Sequence, residues 1–211
     1  MPRQSDARQK MIESAAVLFR ERGVQGTSFS DVLAHSGAPR GSIYHHFPGR
    51  KTQLAEEATR WAGEFIVAGT VAALAENDPV AAIDSFRRWW TTLLHRSDYA
   101  AGCVIVAAAL EGDREPTVRD AAGAAFGEWE DVLAQAFSRR GVPEDRSRSI
   151  ATLLIAGIEG AVLMSRAQQS TRPLERVCEE LQRVVADAIG GPEPPWAANP
   201  LAPDSAGASG D

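Results

Sequence analysis

Cysteine, lysine, strand-like alternation and long apolar runs are what this 211-residue chain has least of. Its two cysteines, Cys103 and Cys178, show neither the paired spacing of a disulfide framework nor that of a zinc site, so a reducing cytosol is expected. The longest apolar run, residues 100–110 broken only by Gly102, is well short of the roughly 18–20 residues that span a bilayer. The opening MPRQSDARQK carries no apolar stretch of the kind a secretory signal needs. A cytoplasmic protein without a membrane partner is therefore expected. No segment sustains the period-two pattern of a strand, which leaves an all-α fold. An activated nucleophile, a paired acid and base, and a cofactor motif are all missing, so neither an enzyme nor a cofactor is expected.

The two lysines, Lys10 and Lys51, both lie in the first quarter of the chain. Residues 1–60 hold nine Lys/Arg against six Asp/Glu, a balance of +3, whereas residues 61–211 hold thirteen against twenty-two, a balance of −9. The overall charge of −6 therefore hides a basic head on an acidic body, an arrangement that presents one end to phosphate and holds the other away.

Helical spacing of Met11, Ile12, Ala15, Ala16, Leu18 and Phe19 after Ser5 predicts a first helix, closed by Arg20–Arg22 and Gly23. Ser28 and Asp31 form a capping-box-like start for a second, and His35-Ser36-Gly37-Ala38 is a turn into a short third. Two helices joined by a glycine-containing turn make a helix-turn-helix, with the first helix walling its core. A long helix over 49–76, an aromatic-rich one to about His95, an apolar segment 103–110, and helices near 117–140, 144–169 and 173–189 follow. The division expected is a three-helix DNA-binding domain (1–48), a helical domain (49–190) that the resemblance given below makes one of ligand binding and dimerisation, and a tail (191–211) too rich in Pro, Gly and Ala to pack.

GAPRGSIYHHFPGRKTQL, residues 37–54, carries the chemistry. Small, cationic and hydrogen-bonding residues on a short helix suit a DNA major groove, and flanking hydroxyls and cations suit phosphates. Arg40 is placed for a guanine or phosphate, Ser42 and His45 for bases or phosphates, and Lys51 for phosphate. Thr27 and Ser28 are candidates from the second helix, although capping alone explains Ser28. Ile43, Phe47, Phe19 and Phe29 read as core. His35, His45 and His46 lie close in sequence, but no Cys or carboxylate follows at ligand spacing, so no metal site is expected.

In the body, Trp61, Phe65, Phe86, Trp89, Trp90, Phe126 and Trp129 offer either core packing or the walls of a pocket for a small hydrophobic or aromatic ligand. Cys103, Val106 and Leu110 are candidates for its opposite wall. Glu159 interrupts an apolar helix and either fixes a ligand hydroxyl or pairs with an arginine such as Arg166. Gly157, Gly160 and Ala161 are spaced for close approach of another backbone, within the chain or from a second copy.

The segments AAVLFRERG, TSFSDVLAHSG and GSIYHHFPGRKTQL resemble the TetR family of bacterial transcriptional regulators. The body, through Gly102-Cys103 with Glu111, Ala125-Phe126-x-x-Trp129, Glu159-Gly160-Ala161 and Ser165-Arg166-Ala167, is similar to a branch whose members respond to flavonoids and other aromatic compounds. The resemblance implies a homodimeric repressor on a palindromic double-stranded operator, released by an effector. It also implies a phosphate contact for Tyr44, whose alternative is bracing the head. One departure is visible: Ala38-Pro39-Arg40 stands where many members have a Ser or Thr cap. A DNA-binding structural regulator with a filled body and no effector is the alternative.

Overall fold

The computed structural model describes residues 3–39, 42–76, 78–111 and 114–190. These form helices throughout, with no strand among the described residues: α1 (Arg3–Arg22), α2 (Phe29–Ser36), α3 (Ser42–His46), α4 (Arg50–Glu76), α5 (Pro79–Arg96), α6 (Val104–Ala109), α7 (Pro116–Ser138), α8 (Glu144–Gln168) and α9 (Arg172–Gly190). The expected 191–211 tail lies outside the described residues, as does Arg40.

Local chemistry sets the boundaries. α1 stops at Gly23, which takes φ +76° and donates to the Phe19 carbonyl. Ser28 and Asp31 close a complete capping box: Ser28 N–H donates to Asp31 Oδ2 at 2.8 Å and Asp31 N–H to Ser28 Oγ at 3.2 Å. α2 ends at Gly37, left-handed at φ +68°, which makes the turn toward α3. Asp78 caps α5 by accepting from Val80 and Ala81 N–H, with Pro79 in the first turn where its missing donor costs nothing.

Met11, Ala15 and Phe19 of α1 meet Ile43 and Phe47 in the head, and Leu54, Ala55 and Ala58 of α4 carry the same apolar cluster into the body. There α4 lies so close to α7 that a Cβ on Gly63 would fall 2.7 Å from that of Ala125. α8 is long and apolar enough, by length and composition, to cross a membrane. Its inward side (Ile150, Leu154, Ile158, Val162) is buried in the protein core. Gly157 faces α9, where its Cβ would stand 3.3 Å from Val177, whereas Gly160 opens outward with nothing near it. α9 is amphipathic, burying Leu174, Cys178, Leu181 and Val185 and exposing Glu179, Glu180, Arg183 and Asp187.

Candidate functional site

In the head, α3 is pinned from below. Ile43 and Phe47 are fully buried, so Tyr44 and His45 between them are turned outward, Tyr44 at 63% exposure. The Tyr44 ring meets the Phe29 edge at 5.6 Å, which braces it without covering it. Ser42 opens α3. Lys51, in the first turn of α4, donates through Nζ to the Gln25 carbonyl at 3.3 Å and so stays beside the turn that leads into α2. His46 is half-buried, and its pKa is lowered chiefly by burial, then by the nearby His45 and Arg8.

Thr27 departs from the expectation. It is 2% exposed, and its hydroxyl donates to the Gly23 carbonyl at 3.0 Å. Its oxygen braces the turn instead of facing solvent. Ser28 is exposed, with its oxygen engaged by Asp31.

The body aromatics form a ladder rather than one ring of walls. Trp61 stacks on Phe65 at 5.8 Å, Phe65 meets Trp89 at 6.4 Å, Trp89 meets Phe86 at 5.8 Å, and Phe86 meets Trp129 at 5.5 Å. One end of the ladder is filled. Between α4, α5, α7 and α8, where Phe86 and Trp129 sit with Leu133, Phe137 and Ile158, the residual cavity is about 30 Å³, close to the space of a single water. The other end is open. A cleft of about 220 Å³ between α1, α4, α5 and the segment before α6 is lined by Trp61, Phe65, Trp89, Trp90, Cys103 and Arg20, among others. A second recess of about 230 Å³ adjoins it across Phe65, Ile66 and Trp89.

The expected pocket residues thus fall into two groups. Trp61, Phe65, Trp89, Trp90 and Cys103 share the open cleft, and Phe86 and Trp129 line the filled interior. Phe126 is half-buried against the core. Val106, half-buried on α6, also packs against the core, and neither it nor Leu110 lines the cleft. Leu110, 81% exposed at the end of α6, is a correction: its side chain faces solvent. Glu159 stands behind the cleft wall beside the Cys103 thiol, which holds its pKa down by less than burial raises it. Its Oε1 is buried without a partner, and burial lifts its pKa to about 7. The Arg166 alternative is not taken up: that guanidinium reaches the Glu21 carbonyl at 3.4 Å.

Arg20 was read from sequence only as a helix-ending cation. Its side chain reaches the cleft, its Nε is buried without a partner, and burial pulls its pKa down. No local pattern marks it, because the cleft exists only once α1 lies against α5 and the 102–104 segment. Its backbone ties the head to the body, since Gly102 N–H donates to the Arg20 carbonyl at 2.8 Å. Gln25 Nε2 to Glu111 Oε2 (2.6 Å) makes a further joint beyond α6, and Thr52 Oγ1 to Glu115 Oε2 (2.9 Å) ties the first turn of α4 to the start of α7. The loop before Gly102 holds Asp98 and Tyr99 both at positive φ, +49° and +58°. That strain is held by Tyr99 N–H on the Leu94 carbonyl and Ala101 N–H on Ser97 Oγ. Among the described residues, no three His, Cys, Asp or Glu converge to hold a metal.

Comparison with known proteins agrees with this arrangement. Residues 11–58 match the model of bacterial regulatory proteins of the tetR family, and residues 79–180 match the C-terminal domain of LmrA/YxaF-like transcriptional regulators. An HTH-type transcriptional regulator of Mycobacterium tuberculosis is 42% identical over 185 residues, spanning 84% of this chain and 93% of that protein. The HTH-type transcriptional regulator LmrA of Bacillus subtilis is 32% identical over 173 residues, spanning 80% and 91%. Among solved structures, a TetR regulatory protein from Rhodobacter sphaeroides superposes with a TM-score of 0.76 at 21% identity, covering 84% of this chain and 98% of that one. A three-helix head with α3 turned outward, joined to a helical body and matched over both parts by these relatives, means that the chain belongs to the TetR family of DNA-binding transcriptional regulators and is not an enzyme.

Proposed function

We propose that the protein is a cytoplasmic, homodimeric repressor that holds a near-palindromic operator and is released by a small aromatic effector. Residues 1–48 serve as the DNA-binding domain and residues 49–190 as the effector-binding and dimerisation domain. The carrying observation is the outward presentation of Tyr44 and His45 on an α3 whose neighbours Ile43 and Phe47 are wholly buried. A helix anchored this way offers a rigid edge to the major groove. Arg40 and Ser42 supply base or phosphate contacts, and Lys51 positions the head on a phosphate, whereas the Ser28 donors stay with the Asp31 carboxylate.

The effector enters beside Trp61, Phe65 and Trp89, the open end of the ladder. Cys103 forms the far wall, and the position of Glu159 behind it suits sensing what the cleft contains. An effector can release DNA only by binding the DNA-incompetent state more tightly, so operator and effector weaken each other by the same factor.

The test is a gel shift on DNA flanking the protein's own gene, with and without a panel of flavonoid-like compounds. A specific shift abolished by one compound supports the whole reading. A specific shift that no aromatic compound relieves favours the regulator without an effector, for which the filled cavity at Phe86 and Trp129 speaks.

A further inference from the structure

We infer that the cleft selects an aromatic acid: a planar one- or two-ring compound whose carboxylate is bound by the Arg20 guanidinium. The inference rests on the effector reading above and narrows it to one chemical class and one residue of the DNA-binding head.

Three observations carry it. The cleft is walled by Trp61, Phe65 and Trp89, whose faces suit a flat ring, and about 220 Å³ accommodates one or two fused rings. Its polar lining includes Arg20, whose Nε is buried without a partner and whose side chain makes no ion pair or hydrogen bond with another side chain among the described residues. A buried guanidinium N–H without an acceptor is costly in an apolar setting, and a carboxylate satisfies it while pairing with the half-buried cation. Trp90 adds an indole Nε1–H that is likewise buried and unpartnered, a second donor in the wall of the same cleft.

The surroundings set the sign of the preference. Glu21, on the same helix, is the one carboxylate acting on Arg20, and its effect is smaller than that of burial. Across Gly102 stands a second cation, Arg166, whose Nη1 would lie 2.5 Å from a Cβ on Gly102. Glu159 lies beyond Cys103 and does not line the cleft. A neutral aromatic would leave the Arg20 donor unmet, and a cationic one would meet its guanidinium with like charge.

The position also gives the ligand a direct hold on the head. Arg20 belongs to α1, and its own carbonyl receives the Gly102 N–H that joins head to body. A carboxylate drawing the Arg20 side chain into the cleft acts at that joint, without relying on movement of α4 alone.

The experiment uses the full chain and two probes of equal shape, 2-naphthoate and the uncharged 2-naphthamide, followed by quenching of tryptophan fluorescence at pH 7.5. The expected result is that 2-naphthoate binds at least tenfold more tightly than the amide. Arg20→Gln should erase that preference while leaving amide binding in place, and Arg20→Lys should keep part of it. Trp89→Ala weakens both probes, and circular dichroism confirms folding of each variant. Equal binding of the two probes by the natural protein overturns the acid preference but keeps the cleft as an effector site. A preference that survives Arg20→Gln overturns the assignment to Arg20. Binding of neither probe overturns both this inference and the effector role of the cleft.

Discussion

Gly102 donates its backbone N–H to the carbonyl of Arg20 across 2.8 Å, and no side chain fits between them. A Cβ at position 102 would stand 3.2 Å from that carbonyl oxygen and 2.5 Å from Arg166 Nη1. The head therefore rests on the body through bare backbone at the floor of the aromatic cleft.

Gly102→Ala is accordingly expected to loosen this joint. Arg166 can swing away, but the carbonyl of α1 cannot, so overpacking costs on the order of 1–3 kcal/mol. Urea unfolding should show that loss, and the variant should bind operator more weakly. Unchanged stability with unchanged DNA affinity would mean the joint is slack.

Gly63 and Ala125 form another contact in which a methyl group is excluded. The 2.7 Å separation expected between Cβ atoms lies between two long helices, neither able to yield as a surface side chain would. Gly63→Ala should destabilise by roughly 1–3 kcal/mol despite its better helix propensity. Adding Ala125→Gly should return much of that loss, a coupling readable as a double-mutant cycle. Simple additivity of the two changes would contradict the close packing of α4 on α7.

Glu159 predicts a pH dependence of stability. Its folded pKa of about 7 lies above the ordinary carboxyl value of 4.5, so between those values the native state holds the proton that the unfolded chain has released. Stability contributed at this site therefore falls as pH rises through that window, and the penalty is complete above about 7, at most about 3 kcal/mol. Glu159→Gln should be more stable than the natural protein at pH 8 and should lose that advantage at pH 5. Calorimetry at the two pH values decides it. An advantage of equal size at both would point to packing rather than charge.

The helices, their order and most of their ends could be read from sequence, because caps and apolar spacing are local signals: Ser28 with Asp31, Gly37, Asp78 with Pro79. The turned-out Tyr44 and His45 followed from the same logic, since Ile43 and Phe47 claim the inner face. The cleft was only half visible. Aromatic count marked Trp61, Phe65, Trp89 and Trp90 as wall candidates, but composition cannot tell an aromatic that fills space, such as Trp129, from one beside open space. Arg20 was invisible as a cleft residue because it lies on α1, about seventy residues from the nearest α5 aromatics, and nothing in its own helix signals its neighbours. Thr27 looked like a phosphate ligand for a related reason: a hydroxyl at a helix start reads the same whether it faces water or its own turn.

Lys51 offers a check on how the head is held on DNA. Its ammonium stays near the Gln25 carbonyl, and the proposed role is a contact to the DNA backbone rather than to a base edge. Lys51→Ala should weaken operator and unrelated DNA by similar factors and reduce the salt slope of log affinity by about one. His45→Ala, by contrast, should weaken operator more than unrelated DNA. Fluorescence anisotropy on both duplexes across a salt series separates the two behaviours, and a selective loss for Lys51→Ala would reassign it to sequence reading.

The outer face of α8 argues for the second copy. Leu153, Leu163 and Met164 are 47%, 63% and 50% exposed, and Ala156, Gly160 and Ala167 continue the same side of the helix. Gly160 has open space before it, unlike Gly157, which already faces Val177 and Leu181 of α9. An apolar stripe with a bare glycine at its centre suits the isologous face of a two-fold dimer, where another helix can approach closely. Leu163→Glu places a charge on that face without disturbing the core, since the side chain points outward. The variant should fold with a similar helical signal, sediment as a monomer at micromolar concentration, and lose operator affinity by a hundredfold or more, because one head alone cannot span two half-sites. A Leu163→Glu protein that remains dimeric would place the interface on another surface.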